Sequence, residues 1–291
     1  MDKVLIVCGP TATGKTNLGI ELAREFNGEI VSADSRQVYI GKNISYGKDL
    51  PPSLLPRLST LKWQGRLLKY YEVEGIPIWL YDVVKEKVQF SVSSWLECAQ
   101  LVIKDILTRQ KLPIVVGGSG LYLKSLLKSL PQISIPPSPQ LRQDLADKDT
   151  DYLFEYLNQI DPVKAASMNE SDRQNPRRLV RAIEITVQDS QVPLTWTTAN
   201  YDWLQIGLTS AKDQLYKRID ERVDERIAAG ANQENPDLAA HPQKWREMEH
   251  QIARGQLTWF RKQPGITWFD IFQPDWPSQA KQVIRSWYNK H

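Results

Sequence analysis

Apolar residues in this chain gather into short unbroken runs divided by amphipathic stretches, a pattern that predicts alternating strands and helices. Val4-Leu5-Ile6-Val7-Cys8 reads as a strand buried on both faces, and it enters a glycine-rich turn. Leu18, Leu22 and Phe26 then recur at helical spacing, predicting a helix from Lys15 to Phe26 that Asn27-Gly28 stops. Glu29-Ile30-Val31-Ser32-Ala33 predicts a second strand with Asp34 at its carboxyl end, the edge at which open α/β sheets bind ligands. The stretch from Leu50 to Glu74 carries prolines and mixed charge, and Tyr70 to Leu80 predicts a hairpin turning at Glu74-Gly75. A helix from Ser93 to Arg109 leads into another buried strand, Ile114-Val115-Val116, which ends at Gly117-Gly118-Ser119-Gly120.

Four prolines between Pro131 and Pro139 mark a boundary, and the signal changes beyond it. Gln140 to Gln188 reads as wholly helical, with starts at Asp161-Pro162 and Ser171-Asp172. The strand pattern resumes at Trp203 to Leu208, followed by a charged helix from Lys212 to about Ala229. The expected fold is therefore α/β: a parallel sheet core interrupted by a helical insertion, with residues 1–130 and 191–291 forming the core and 131–190 the insertion.

Composition narrows the function classes. With 291 residues, 41% hydrophobic and 24% charged, the chain can bury a substantial core and is not of disordered type. A formal net charge of +3 means that any nucleic-acid contact must come from local patches. Cys8 and Cys98 stand far apart, outside any paired spacing, so neither a disulfide framework nor a thiolate zinc site is expected. His241, His250 and His291 fall in no metal-binding or deaminase pattern. The first apolar run is too short for a signal core, and no stretch approaches the ~20 apolar residues of a membrane span. A cytoplasmic protein with no membrane contact is expected.

Gly9-Pro10-Thr11-Ala12-Thr13-Gly14-Lys15-Thr16 matches GxxxxGK[ST] between a buried strand and a helix, the context that gives the motif meaning. Its glycines let the backbone wrap a phosphate while N–H groups and the helix N-terminus point at the oxygens. Lys15 adds a point charge, and Thr16 can ligate Mg²⁺. Most such phosphate loops (P-loops) bind ATP or GTP. Here, however, the strand Ile114-Val115-Val116 ends in Gly117 and not in the aspartate that commonly holds Mg²⁺ in nucleoside triphosphatases. Small-molecule kinases and group transferases remain, and either could use Asp34 as a base.

Taken with that loop, Ser32-Ala33-Asp34-Ser35-Arg36-Gln37-Val38-Tyr39, Gly117 to Tyr122, Asn175 to Glu184 and Gln256-Leu257-Thr258-Trp259-Phe260-Arg261 make the chain resemble the tRNA dimethylallyltransferase family over most of its length. The resemblance implies a P-loop NTPase-like core and transfer of a dimethylallyl group from dimethylallyl diphosphate to N6 of the adenosine 3′ of the anticodon, with Mg²⁺ and without ATP. The residues Gly9 to Thr16 (Gly9, Pro10, Thr11, Ala12, Thr13, Gly14, Lys15, Thr16) would hold the diphosphate, with Thr16 as the metal ligand. Asp34 would be the catalytic base, with Lys15 and Arg218 stabilising the leaving group. Asp34, Ser35, Arg36, Gln37, Ser119, Arg142, Arg177, Arg178, Leu179, Val180 and Arg181 match tRNA-contacting positions. The partners would be the anticodon stem-loop of tRNA, reached by base flipping, and the diphosphate, with the enzyme a monomer.

Each of these readings has a plainer competitor. Arg177, Arg178 and Arg181 lie on about one helical turn, suited to phosphates, and the lesser alternative is a solvated face paired with Asp172 or Glu184. The alternating charges of Lys212 to Arg226 suggest an exposed helix laced with ion pairs, from which only Arg218 is set apart by the resemblance. Trp259 and Trp268 sit among apolar neighbours and read as core or strand residues. A P-loop small-molecule kinase is the alternative function, and a nucleic-acid-binding relative that has lost catalysis is a third. The chain also departs from the family pattern. Trp79-Leu80-Tyr81-Asp82, after a hairpin-like insert, replaces a His-His-Leu-Ile-Asp stretch, and Asn43-Ile44-Ser45-Tyr46-Gly47-Lys48 replaces Asp-Ile-Gly-Thr-Ala-Lys. The helical segment between Gly230 and Gln256 is shortened, and Arg254-Gly255 stands where the family has Lys-Arg.

Overall fold

The computed structural model describes residues 1–51, 53–188 and 201–290. The chain divides into two compact units: Met1–Leu127 with Ala199–His291, and Lys128–Thr198. The expected return to the core at residue 191 lies outside the described residues.

The first unit is built on one sheet whose strands are β1 (Lys3–Cys8), β2 (Gly28–Ser32), β3 (Arg57–Trp63), β4 (Arg66–Val73), β5 (Ile76–Trp79), β6 (Leu112–Gly117), β7 (Asp202–Thr209) and β8 (Ile266–Asp270). Their order is β3-β4-β5-β2-β6-β1-β7-β8, parallel from β5 to β8 and antiparallel across the two hairpin pairs at the β3 edge. The central strands β1, β2 and β6 are buried throughout their apolar runs, so their side chains must be apolar on both faces. Leu5, Val7, Ile30, Ile114 and Val116 form one core with Leu18 and Leu22 of the first helix, Ile78 of β5, and Ile206 and Leu208 of β7.

Helix α1 (Lys15–Glu25) follows the glycine-rich turn, and α2 (Val92–Thr108), capped by the Ser91 hydroxyl, packs against β2 and β6. Helix α3 (Gly120–Leu127) leaves the end of β6. Gly117 is forced at that point, because a Cβ there would lie 2.2 Å from the Ala33 carbonyl oxygen. The absence of an aspartate is thus dictated by the close approach of two backbones.

The second unit holds α4 (Pro139–Asp144), α5 (Thr150–Ile160), α6 (Pro162–Ser167), α7 (Glu170–Arg173) and α8 (Pro176–Gln188). They close over Leu145, Leu153, Leu157, Met168, Leu179 and Ile183. Asp161 caps α6 as its sequence suggests. The start expected at Ser171-Asp172 lies earlier, since the Asn169 side chain accepts the Asp172 N–H and begins α7.

Back in the first unit, α9 (Lys212–Ala228) precedes two short helices, α10 (Ala231–Glu234) and α11 (Pro236–Ala239). The long α12 (Pro242–Phe260) packs along α9, and α13 (Trp276–Tyr288) covers β7 and β8.

The hairpin foreseen at Glu74-Gly75 joins β4 to β5, both turn residues having positive φ (50° and 80°), as a two-residue turn of right-handed strands requires. Strand β3 was not foreseen: it pairs with β4 through a second turn of the same kind at Gln64-Gly65 (φ 47° and 78°). No described helix is long and apolar enough to cross a membrane.

Candidate active site

A cavity of about 530 Å³ opens at the carboxyl ends of the parallel strands. On one wall the phosphate loop leaves β1 in a conformation that requires its glycines: Gly9 has φ 140° and Gly14 φ 79°, and a Cβ on Gly9 would lie 2.3 Å from the Leu208 carbonyl oxygen. Gly14 stands at the N-terminus of α1, whose first N–H groups have no side-chain cap, and Gly14, Lys15 and Thr16 line the cavity. The Thr13 hydroxyl donates to Pro10 O at 2.9 Å and tightens the turn. Lys15 folds over it, donating to Pro10 O and, at 3.5 Å, to the Thr13 hydroxyl. Burial, and then the nearby guanidinium of Arg222, lower the Lys15 pKa to about 8, while Asp34 acts in the opposite sense. Cys8, just before the loop, is buried and its thiol is pushed up to about 12, so it is no nucleophile.

Asp34 follows β2, half-buried in the same cavity, and its Oδ1 accepts the Arg36 N–H at 2.9 Å. That turn presents Ser35, whose N–H donates to the Ser119 hydroxyl at 2.9 Å and ties the β2 and β6 ends together.

The third wall is α9. Arg218, Arg222 and Arg226 recur at four-residue spacing and all line the cavity opposite the loop. Arg218 Nε donates to Ala12 O at 2.9 Å, fixing the guanidinium on the phosphate loop. Arg222 bonds Asp49 Oδ2 at 2.5 Å. Arg226 shares Glu249 of α12 with Arg36: Arg36 Nη1 lies 2.6 Å and Arg226 Nη1 3.6 Å from Oε1. Burial raises the Glu249 pKa, but Arg36 and then Arg226 outweigh it and hold the carboxyl below its ordinary range. Burial, and then Arg222, depress Arg226 to about 10. The cavity lining sets Lys15, Arg36, Arg218, Arg222 and Arg226 against the carboxylates of Asp34, Asp49, Glu221 and Glu225, with Lys15 and Arg218 at the phosphate loop itself. It is suited to an anion such as a phosphate or diphosphate.

The structure thus brings Thr11, Ala12, Gly14, Lys15, Thr16, Asp34, Arg36, Gln37 and Arg218 to one cavity, with Ser119 at its edge through Ser35. It also corrects parts of the sequence reading. Gln37 is buried at the cavity wall, its amide accepting from Ser32 and donating to Gly47 O at 2.8 Å, so it braces the loop that carries it. Arg36 is committed to Glu249. The helix read as an exposed, ion-paired face buries Leu215, Ile219, Val223 and Arg226 and turns its arginine stripe inward. Arg222 and Arg226 were missed, although their spacing from Arg218 was visible. Gln256, matched only within a motif, accepts the Thr11 N–H at 2.8 Å and so helps shape the loop. Trp259 packs over Gly120 and Trp268 over Gly207, the core and strand roles expected of them. The departures around Lys48 and Asp82 form a buried pair: the Lys48 ammonium donates to Asp82, to Tyr39 O and to Gly41 O, and the Tyr71 hydroxyl also donates to Asp82.

In the helical unit, Glu184 is fully buried and accepts from Ser138 N (3.0 Å), Arg142 Nε (2.7 Å) and Arg181 Nη1 (3.1 Å). Arg181 also donates to Gln132 O and Ile135 O, and Arg178 pairs with Asp172. The ion-paired reading of this helix therefore holds for Arg178 and Arg181, and Arg142 is likewise engaged. Leu179 is buried in the unit's core and cannot present its side chain to RNA, and Val180 is half-buried. Arg177 is exposed and makes no ion pair to any described residue.

Among the described residues no three His, Cys, Asp or Glu side chains gather as a metal cage. The donors at hand are the Thr16 hydroxyl and the Asp34 carboxylate beside the loop. This set fits an Mg²⁺ that keeps water and shares the oxygens of a phosphate.

The family model for IPP transferases matches residues 68–252. The tRNA dimethylallyltransferase of Pediococcus pentosaceus is 34% identical, the match covering 99% of this chain and 97% of that protein. That of Anoxybacillus flavithermus is 32% identical over 93% and 91%. Among solved structures, the tRNA isopentenylpyrophosphate transferase of Bacillus halodurans is 27% identical and superposes with a TM-score of 0.63 over 99% of this chain and 97% of that one. A eukaryotic dimethylallyltransferase acting on tRNA, 23% identical, shares the fold with a TM-score of 0.73 over 98% of this chain and 79% of that one.

Proposed function

The chain belongs to the tRNA dimethylallyltransferase family, and from that premise we propose how its residues carry out prenyl transfer to tRNA. The observation that carries the reading is the single cavity in which the phosphate loop, Arg218 and Asp34 face one another. Dimethylallyl diphosphate binds with its diphosphate in the loop Gly9 to Thr16. The substrate amine is N6 of the adenosine 3′ of the anticodon, weakly nucleophilic because its lone pair is delocalised into the ring. Its electron pair forms a bond to C1 of the dimethylallyl group as the C1–O bond breaks and those electrons leave on the diphosphate. The N6 proton passes to the Asp34 carboxylate.

Negative charge grows on the departing diphosphate and is met by the loop N–H groups, Lys15 and Arg218, a role supported by the Arg218 bond to the loop at Ala12 O. Arg222 and Arg226 extend that field along α9. Mg²⁺, held at the Thr16 hydroxyl, would neutralise part of the same charge. Outside the cavity, the exposed Arg177 supplies a cation for tRNA phosphates. The test is incubation of the protein with dimethylallyl diphosphate and unmodified tRNA without ATP, read by nucleoside mass spectrometry. N6-dimethylallyladenosine is expected, whereas ADP release from ATP with no modified nucleoside would leave a kinase.

A further inference from the structure

The hairpin at the sheet edge serves neither the cavity nor the phosphate loop. Its register shows where it points. Tyr70 of β4 pairs with Trp79, the last residue of β5, so Arg66 to Lys69 and their partners on β3 continue past the carboxyl end of β5. At about 3.4 Å per residue, the Gln64-Gly65 turn stands roughly 17 Å beyond it. Because β5 is parallel to β2, and β2 to β6 and β1, that is the edge at which Asp34 and the phosphate loop also lie.

The arm is held firmly. Trp63 is buried, its indole N–H donates to Glu97 of α2 at 2.7 Å, and its ring meets Phe90 edge-on at 5.5 Å. Over β3 and β4 the side chains include Arg57, Lys62, Arg66 and Lys69 against the single carboxylate of Glu72. Arg57 is spent on Glu72 at 2.8 Å, while Lys62, Arg66 and Lys69 make no ion pair to any described residue. Lysines on an edge strand commonly block unwanted pairing. That role fits Lys62 on β3 and also Arg66 and Lys69, which lie past the end of β5 where β4 is an edge too, and it is compatible with contact to an anion.

We propose that the tip of this hairpin is an arm that contacts tRNA phosphates through Lys62, Arg66 and Lys69, which rests on the tRNA reading above. A rigid cationic arm beside the catalytic edge would add counterion release without touching the reacting groups. The test compares the parent with a Lys62→Ala, Arg66→Ala, Lys69→Ala triple variant, measuring tRNA affinity against salt, KM for tRNA, KM for dimethylallyl diphosphate, and binding to phosphatidylglycerol vesicles. The triple variant should lose about 2 to 3 from the slope of log K against log salt and raise KM for tRNA about 10- to 100-fold. Its kcat at saturating tRNA and its KM for the diphosphate should stay at parent values. A Lys62→Arg, Lys69→Arg variant should bind tRNA like the parent. An unchanged slope in a triple variant of an enzyme that prenylates tRNA would overturn the arm alone, as would a loss confined to vesicle binding. A parent that neither binds nor modifies tRNA would overturn the functional reading and the arm with it.

Discussion

Asp34→Asn isolates the proton acceptor. The Arg36 N–H donates to Asp34 Oδ1 at 2.9 Å, and an asparagine keeps a carbonyl oxygen in that place, so the turn carrying Ser35 and Arg36 persists. What is lost is the negative charge and the basic lone pair. General-base catalysis typically supplies ~10²- to 10⁴-fold. The rate of the chemical step should therefore fall at least about 100-fold, or about 2.7 kcal/mol of barrier, with tRNA affinity retained. The same charge has a second consequence. Asp34 supports the Lys15 ammonium against burial and Arg222, so removing it should carry the Lys15 pKa further down from about 8. In the variant, kcat/KM for dimethylallyl diphosphate should start to fall at a lower pH than in the parent, because kcat/KM reports groups of the free enzyme. Single-turnover prenylation gives the first effect, and a pH series of kcat/KM gives the second. An unchanged single-turnover rate would remove Asp34 from the mechanism. An alkaline limb that does not move would show that Asp34 and Lys15 do not share one electrostatic site.

In the parent enzyme, Lys15 is charged below about 8 and neutral above it, so kcat/KM for the diphosphate should drop about tenfold per unit above that pH; a limb near the ordinary lysine value would contradict its burial. Arg218→Ala should lower kcat by about 10²-fold, and Arg218→Lys should recover only part, since lysine keeps the charge but loses the Nε bond to Ala12 O; full recovery would reduce Arg218 to a bare charge. Arg177→Ala should flatten the salt dependence of tRNA binding more than Arg181→Ala, whose guanidinium is held by Glu184 and two carbonyls; the reverse order would contradict the assignment. Glu184→Ala should destabilise the helical unit by about 1 to 3 kcal/mol, the cost of unmaking hydrogen bonds to a buried charge. Burial raises the Glu184 pKa, but Arg142, the Ser138 N–H and Arg181 together hold it below the ordinary value. Its stabilisation is therefore present above the unfolded carboxyl pKa and lost as pH falls through the folded one. Acid melts of parent and variant should converge, and persistent separation at low pH would contradict that origin.

What was legible in the chain followed from local physics. The central strands announce themselves because burial on both faces demands unbroken apolar runs, and the phosphate loop because its φ angles and close backbone approach require glycine. Strand β3 was hidden: it lies at the edge, mostly exposed, and a register shift between Leu58 and Lys62 breaks the alternation that would mark it. The inward arginine stripe of α9 was hidden for a different reason. Alternating charges on a helix look alike whether they meet water or an anion-binding cavity, and only the placement of α12 decides between them. The bonds of Arg36 to Glu249 and of Thr11 to Gln256 join residues more than 200 positions apart, a separation that no local pattern encodes.

The most direct measurement is a crystal structure of the enzyme with Mg²⁺, an unreactive thio-analogue of dimethylallyl diphosphate and an anticodon stem-loop. The diphosphate should lie in the loop from Gly9 to Thr16 against Lys15 and Arg218, with the flipped adenine N6 within hydrogen-bond reach of Asp34. An adenine placed away from Asp34, or ATP displacing the analogue from that loop when both are supplied, would contradict the account.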